Sequence, residues 1–139
     1  MSSLLIAAIL LASCQLSARL TIAEGSTPTN LVFVLTDWEG SKPGKLHSVY
    51  VSRCIEDGPN FPIEKEHVWV ALATDLSSAP ELGRITYGSV VGLTTTVSAE
   101  TIVPGCYIAR AYANFPDSRQ GIAVFRVDAN GRIDARDDA

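Results

Sequence analysis

The sequence lacks the features that mark several common functional classes. Its 139 residues carry a formal net charge of −4, and the eleven Lys and Arg residues are scattered instead of clustered. Proteins that bind nucleic acid usually present a basic face to the phosphates, so nucleic acid is not expected as a partner. Aromatic residues make up only 7% of the chain, and no internal repeat is visible.

Signatures of catalysis and cofactor binding are also missing. The chain has no G-x-S-x-G elbow, no P-loop and no dinucleotide-binding fingerprint. Its two histidines, His47 and His67, and its three cysteines have no metal-ligand spacing, so neither a metal nor a cofactor is expected. The acidic stretch 64–66 is interpreted as solvated loop charge. These absences predict that the protein is not an enzyme.

The N-terminal apolar run is too short to span a membrane. Residues 4–12, LLIAAILLA, number nine, whereas about 20 apolar residues are needed to cross a bilayer. A run of 7 to 15 is typical of the hydrophobic part of a secretory signal peptide. The run therefore predicts export.

The residues that follow the run resemble the lipobox of bacterial lipoproteins. In Leu11-Ala12-Ser13-Cys14, an aliphatic residue and two small residues precede a cysteine. The resemblance covers residues 1–14 and implies that the signal peptide 1–13 is removed and Cys14 is acylated. Because Gln15 replaces the Asp that retains such proteins at the inner membrane, it also implies an outer-membrane location where two membranes exist. An ordinary cleaved signal, or a buried element with a core cysteine, are the alternatives.

The other two cysteines fit an exported protein. If Cys14 carries lipid, Cys54 and Cys106 remain as an even pair. In an oxidising compartment these two are expected to form a disulfide. The alternative is a nucleophilic cysteine assisted by His47 or His67, and no local signature supports it.

The domain boundaries follow from composition. Residues 17–30, SARLTIAEGSTPTN, mix Ser, Thr, Gly and Pro with isolated charges and have no sustained period. We therefore predict a lipidated tether over 14–29, a folded domain over 30–133 and a frayed tail over 134–139.

The folded part has β patterning throughout. Short segments rich in β-branched and aromatic residues alternate with Gly- and Pro-containing turns, and none has a helical period. The pattern predicts an all-β antiparallel sandwich of about six to seven strands, with a hairpin turn at Asn130-Gly131. The predicted strands are 30–38, 46–54, 67–73, 84–97, 106–113 and 121–127.

Two short patterns resemble extracellular sandwich domains. Residues 102–107, IVPGCY, are similar to the L-x-P-G-x-Y start of a late strand in Ig-like and transthyretin-like domains. There the turn is made by Pro and Gly, and the Tyr ring points inside with its hydroxyl near the edge. The order Cys54, Trp69, Cys106 resembles that of immunoglobulin domains. A disulfide requires Cys54 and Cys106 to lie at the same end of the sandwich. If successive strands alternate in direction, the two cysteines meet there when residues 84–97 form one Gly-kinked strand, so the disulfide favours a single strand over 84–97.

Three functional classes remain open. The favoured one is a membrane-anchored envelope module that binds other envelope proteins or has a structural role. The second is a protein that binds a small ligand or carbohydrate, with Trp38 and Tyr112 as candidate contacts if they lie beside a concave site. The third is an enzyme, which would need a cleft that brings His47 or His67 to a carboxylate.

Overall fold

The structure is a computed structural model that describes residues 17–37, 44–75, 77, 79–115 and 117–136. All of its regular elements are strands. In chain order they are β1 Arg19–Ile22, β2 Val32–Thr36, β3 Gly44–Asp57, β4 Asn60–Leu72, β5 Glu81–Leu82, β6 Arg84–Thr86, β7 Thr94–Val97, β8 Gly105–Asn114, β9 Ser118–Val127 and β10 Ile133–Arg136.

The strands form two antiparallel sheets. The small sheet has the order β1-β2-β6, and the large sheet has the order β10-β9-β8-β3-β4-β7, with the short β5 paired to the start of β3. The all-β antiparallel sandwich predicted from the sequence is confirmed, although the described residues form ten strands instead of six or seven. No helix in the described ranges is long and apolar enough to cross a membrane.

The core lies between the inner faces of the two sheets. In β2, Phe33 and Leu35 are fully buried while their neighbours are half-buried, which is the period-2 pattern of a strand with one buried face. The Phe33 and Phe125 rings meet across the sheets with centroids 5.9 Å apart. Phe125 also stacks on Tyr107 at 5.3 Å. Aromatic contact across the interface therefore joins the small sheet to β8 and β9.

Tyr107 anchors the turn that leads into β8. The ring is 1% exposed, its hydroxyl donates to the Val103 carbonyl at 2.7 Å, and the Val103 amide donates back to the hydroxyl at 3.0 Å. The inward ring and edge hydroxyl predicted from residues 102–107 are confirmed. Because the hydroxyl has hydrogen-bond partners, burial of the tyrosine ring is favourable.

The cysteines form a disulfide, but its setting differs from the immunoglobulin arrangement. Cys54 and Cys106 are directly opposite each other on adjacent strands β3 and β8, with Cα atoms 5.0 Å apart. The predicted Cys54–Cys106 pairing is therefore confirmed, although the bond lies within one sheet instead of between two.

Residues 84–97 are not the single kinked strand that the sequence favoured. Gly88 and Gly92 adopt φ of 94° and 95°, a region that side chains other than glycine rarely occupy. The segment turns there and gives β6 to the small sheet and β7 to the large one. The Tyr87 hydroxyl donates to the Glu100 carbonyl at 2.7 Å and so ties the chain just after β6 to the chain just after β7. Burial raises the pKa of Tyr87 to about 12, which keeps the hydroxyl protonated as a donor.

The predicted tether contains a strand. β1 pairs with β2 from Arg19 to Ile22, and Leu20 is 6% exposed within the core. The prediction of a linker is wrong for these residues, because pairing and burial of alternate side chains outweigh the turn-like composition around them. The tail prediction is similarly wrong for residues 134–136, which pair with β9 as part of β10.

The hairpin turn predicted at Asn130-Gly131 is confirmed. The Gly131 amide donates to the Asp128 carbonyl at 3.0 Å, and the Asp128 carboxylate accepts from the Asn130 and Arg132 amides at 2.9 Å each. Only Gly131 has a positive φ, of 80°. The loop is thus a type I turn closed by a glycine, instead of a two-residue turn with both residues left-handed.

The position of β1 gives a direct stability test at Gly121 in β9. A Cβ placed there would lie 2.9 Å from Leu20 Cβ and 2.9 Å from Leu35 Cδ1. Gly121→Ala should therefore destabilise the protein by about 1 to 3 kcal/mol, because β1 and β2 must move outward. Urea unfolding measures the change, and the exposed substitution Ser118→Ala in the same strand is the control. Equal stabilities of the two variants would contradict the packing of β1 on β9.

Candidate functional site

Polar and aromatic side chains gather on the outer face of the large sheet. β3 contributes Tyr50 and Ser52, β8 contributes Arg110 and Tyr112, and in the ladder Tyr50 lies opposite Arg110. Because side chains alternate between the faces of a strand, these positions point away from the core that Val51, Ala109 and Ala111 help to fill.

Two bulges in β4 bring further groups to this face. Val51 and Ser52 are consecutive in β3, yet they lie opposite Trp69 and His67, which leaves Val68 as an extra residue. Both Val68 and Trp69 are consequently buried in the core. The next step pairs Cys54 with Glu64, three residues before His67. Glu64 and His67 would lie on opposite faces of a regular strand, and the bulges place both on the outer one.

Glu64 is the centre of a hydrogen-bond network. Its Oε1 accepts from Arg110 Nε at 3.0 Å, and its Oε2 accepts from the Ser52 hydroxyl at 2.9 Å. The Ser52 oxygen is 2.7 Å from His67 Nδ1. Because a carboxylate only accepts, Ser52 gives its one proton to Glu64, and His67 Nδ1 must carry a proton that it donates to Ser52. A neutral His67 then offers its Nε2 lone pair outward as an acceptor.

The network borders a shallow depression. Its volume is about 300 Å³, and it is lined by Tyr50, Glu64, His67, Arg110 and Tyr112. The Tyr50 ring meets the Tyr112 ring edge-on at 5.8 Å and the His67 ring at 5.6 Å. The Tyr112 hydroxyl accepts a hydrogen bond of 2.9 Å from the Gln120 amide nitrogen. Each polar side chain around the depression is thus held by a neighbour.

Arg110 is held from two sides. Its Nε is bound to Glu64, both side chains being about a quarter exposed, at 25% and 27%. Its guanidinium carbon lies 6.0 Å from the centre of the Phe61 ring, at the outer limit of a cation–π contact. Among the residues that the structure describes, no hydrogen-bond partner of the two terminal guanidinium nitrogens is found, so their N–H groups can bind a ligand.

The arrangement differs from a Ser–His–acid catalytic triad. In a triad the acid binds the histidine, and the histidine takes the serine proton through its other ring nitrogen. Here Glu64 binds Ser52 directly, and Ser52 is completely buried. The serine therefore neither reaches a substrate nor transfers its proton to His67, and the group is better suited to holding a ligand.

The residues singled out from the sequence have different outcomes. Tyr112, a predicted ligand contact, is one of the residues that line the depression. Trp38 and Cys14 lie outside the described residues. His47 lies in β3 and does not line the depression, whereas His67 does. Glu64, predicted to be a solvated loop charge, lies instead in β4 at the centre of the network.

No group of three or more His, Cys, Asp or Glu side chains within the described ranges could hold a metal ion.

Comparison with known proteins gives no family for this chain. No protein-family model matches it, and neither the curated proteins nor the solved structures show a match.

Proposed function

We propose that the protein is a lipid-anchored module of the bacterial cell envelope that binds a saccharide on the outer face of its large sheet. The observation that carries the proposal is the Glu64-centred network, which holds Arg110 and His67 beside the two tyrosines. Groups that are already held in position lose little conformational entropy when a ligand binds.

The ligand class follows from the side chains around the depression. Sugar rings combine apolar C–H faces with many hydroxyl groups, and the depression combines aromatic rings with planar polar groups. Tyr50 and Tyr112 offer the rings, Arg110 offers N–H donors, and His67 Nε2 offers an acceptor. The Arg110–Glu64 pair has no net charge, which favours a neutral, hydroxyl-rich ligand over a strongly anionic one.

The anchor rests on the N-terminal motif. The resemblance of Leu11 to Cys14 to a lipobox supports acylation of Cys14. The chain has three cysteines, and because Cys54 and Cys106 are joined to each other, Cys14 is the one left with a thiol to modify. An anchored sheet with its outer face exposed would present the depression to polymers of the envelope.

Binding can be tested on an array of bacterial cell-wall and capsular saccharides. The soluble Cys14→Ala chain should bind at least one saccharide, and the further substitution Arg110→Met should weaken that binding by about 10- to 100-fold. This range corresponds to loss of about 1.5 to 3 kcal/mol for hydrogen bonds from a charged donor.

The matched control is Arg126→Met. Arg126 is also on the large sheet and also paired with a glutamate, Glu56, but it does not line the depression. It should leave saccharide binding unchanged. Equal loss in both arginine variants, or no saccharide bound by a folded protein, would contradict the proposed function.

A further inference from the structure

A second, larger cavity lies at the edge of the large sheet that β9 and β10 form. Its volume is about 660 Å³, within the range of about 300 to 1,000 Å³ that is usual for ligand pockets. The cavity opens along one edge of β9, where two separate segments of the chain pair with different parts of the strand and leave a gap between them. β10 pairs with Val124–Val127, and Ser17 bridges to Gln120, so among the residues described between 17 and 136 no strand pairs with residues 121–123 on that side. β1, β9, β10 and the tip of the β3–β4 hairpin surround the gap.

The walls of the cavity are mainly apolar. Leu20 and Val124 are buried at 6% and 5% exposure, whereas Ile122 and Phe61 are 40% and 46% exposed. Ile122 lies on β9, and Phe61 lies near the tip of the β3–β4 hairpin. Two large apolar side chains that line the cavity are therefore left partly in water, and an apolar occupant would cover both.

The hairpin that carries Phe61 is held over this margin by arginines. Arg136 at the end of β10 donates to the Pro59 and Asn60 carbonyls at 3.3 Å, and Arg126 pairs with Glu56. The wall formed by Phe61 is thus fixed to β9 and β10 by contacts at the hairpin tip. Such a wall can hold an elongated apolar group without first having to close on it.

The mouth of the cavity is where the N-terminal part of the chain emerges. Ser17 and Ala18 line the cavity, and the Ala18 amide donates to the Gln120 carbonyl at 3.0 Å, which fixes the start of β1. Cys14 is three residues earlier, so an extended chain places it at most about 11 Å from Ser17. A group attached to Cys14 therefore lies next to the cavity at a very high effective concentration.

We infer that one acyl chain of a lipidated Cys14 occupies this cavity. The inference rests on the lipidation in the proposed function and adds a binding site for part of the anchor. A lipoprotein cysteine carries more than one chain, so the others remain in the bilayer while this one is shielded by Ile122, Phe61 and Leu20. Arg19 and Arg136 at the cavity would then lie at the level of anionic lipid headgroups, which attract basic side chains.

The inference can be tested by photo-crosslinking in cells. A palmitate analogue that carries a diazirine is fed to bacteria that express the full chain, the intact cells are irradiated, and the protein is then purified and digested. The lipidated N-terminal peptide should be joined to the peptides that contain Phe61 or Ile122.

A substitution that fills the cavity supplies the matched comparison. Ala135 is an exposed lining residue of β10, and Ala135→Trp should reduce the crosslinks at least fivefold without reducing incorporation of the analogue. Val91 is 91% exposed and does not line the cavity, so Val91→Trp should change neither. Circular dichroism establishes that both variants fold.

The outcomes separate the two proposals. Incorporation with crosslinks only to membrane lipids, or to segments remote from the cavity, overturns the cavity site and leaves lipidation standing. Absence of the analogue from the wild-type protein overturns both.

Discussion

Replacing Cys14 with Ala is expected to abolish membrane attachment. We propose this thiol as the site of acylation on the basis of the lipobox resemblance, and a modified cysteine with two or more chains holds a protein durably, whereas one chain holds it only marginally. Without the thiol no chain can be attached there. In cells supplied with labelled palmitate, the wild-type protein should be labelled and enter the detergent phase of a Triton X-114 extract, and Cys14→Ala should do neither.

The other two cysteines provide the control for this experiment. A Cys54→Ser, Cys106→Ser variant retains Cys14 and should incorporate palmitate as the wild type does. Label in the Cys14→Ala protein would show that another residue is acylated and would contradict the assignment.

Removing the disulfide should produce the largest change in stability. Cys54 and Cys106 are 52 residues apart in sequence, and a crosslink that closes a loop of this size contributes about 4 kcal/mol when its effect is treated as loss of unfolded-chain entropy. The bond also joins β3 to β8 at Cys54, which pairs on its other side with Glu64 of β4. The Cys54→Ser, Cys106→Ser variant should therefore unfold at a midpoint lower by roughly 10 °C.

Calorimetry with and without a reductant measures this shift. Reduction should lower the midpoint of the wild-type protein and leave that of the double serine variant unchanged. Under native, oxidising conditions the two cysteines should resist alkylation by iodoacetamide. Rapid alkylation of both in the folded protein would contradict the disulfide.

The strands that the sequence predicted best are those in which apolar and polar residues alternate and Gly- or Pro-containing turns mark the ends. The second half of β8 alternates, with Ala109 and Ala111 buried and Arg110 and Tyr112 half-buried, and its predicted bounds 106–113 differ from the observed ones by one residue at each end. β1 was missed because four residues within a Ser-, Thr- and Gly-containing stretch carry too short a pattern. Its burial depends on β2 and β9, which are distant in sequence.

The candidate site was only partly predictable for a related reason. Tyr112 could be proposed as a contact because an aromatic ring can stack on a sugar if it lies beside a concave site. Glu64 could not, because its position depends on bulges in β4, and a bulge shifts the face of every residue beyond it. The spacing of Glu64 and His67 in the sequence predicts opposite faces, and only the pairing with β3 shows that they share one.

Binding of a saccharide in the outer-face depression can be located by an NMR titration. The ¹⁵N-labelled Cys14→Ala chain is titrated with the saccharide bound most strongly on the array. We expect the backbone amide shifts to cluster in β3, β4 and β8 around Tyr50, His67, Arg110 and Tyr112. Saturable shifts confined to the loop between β8 and β9, or to the small sheet, would contradict binding in the depression.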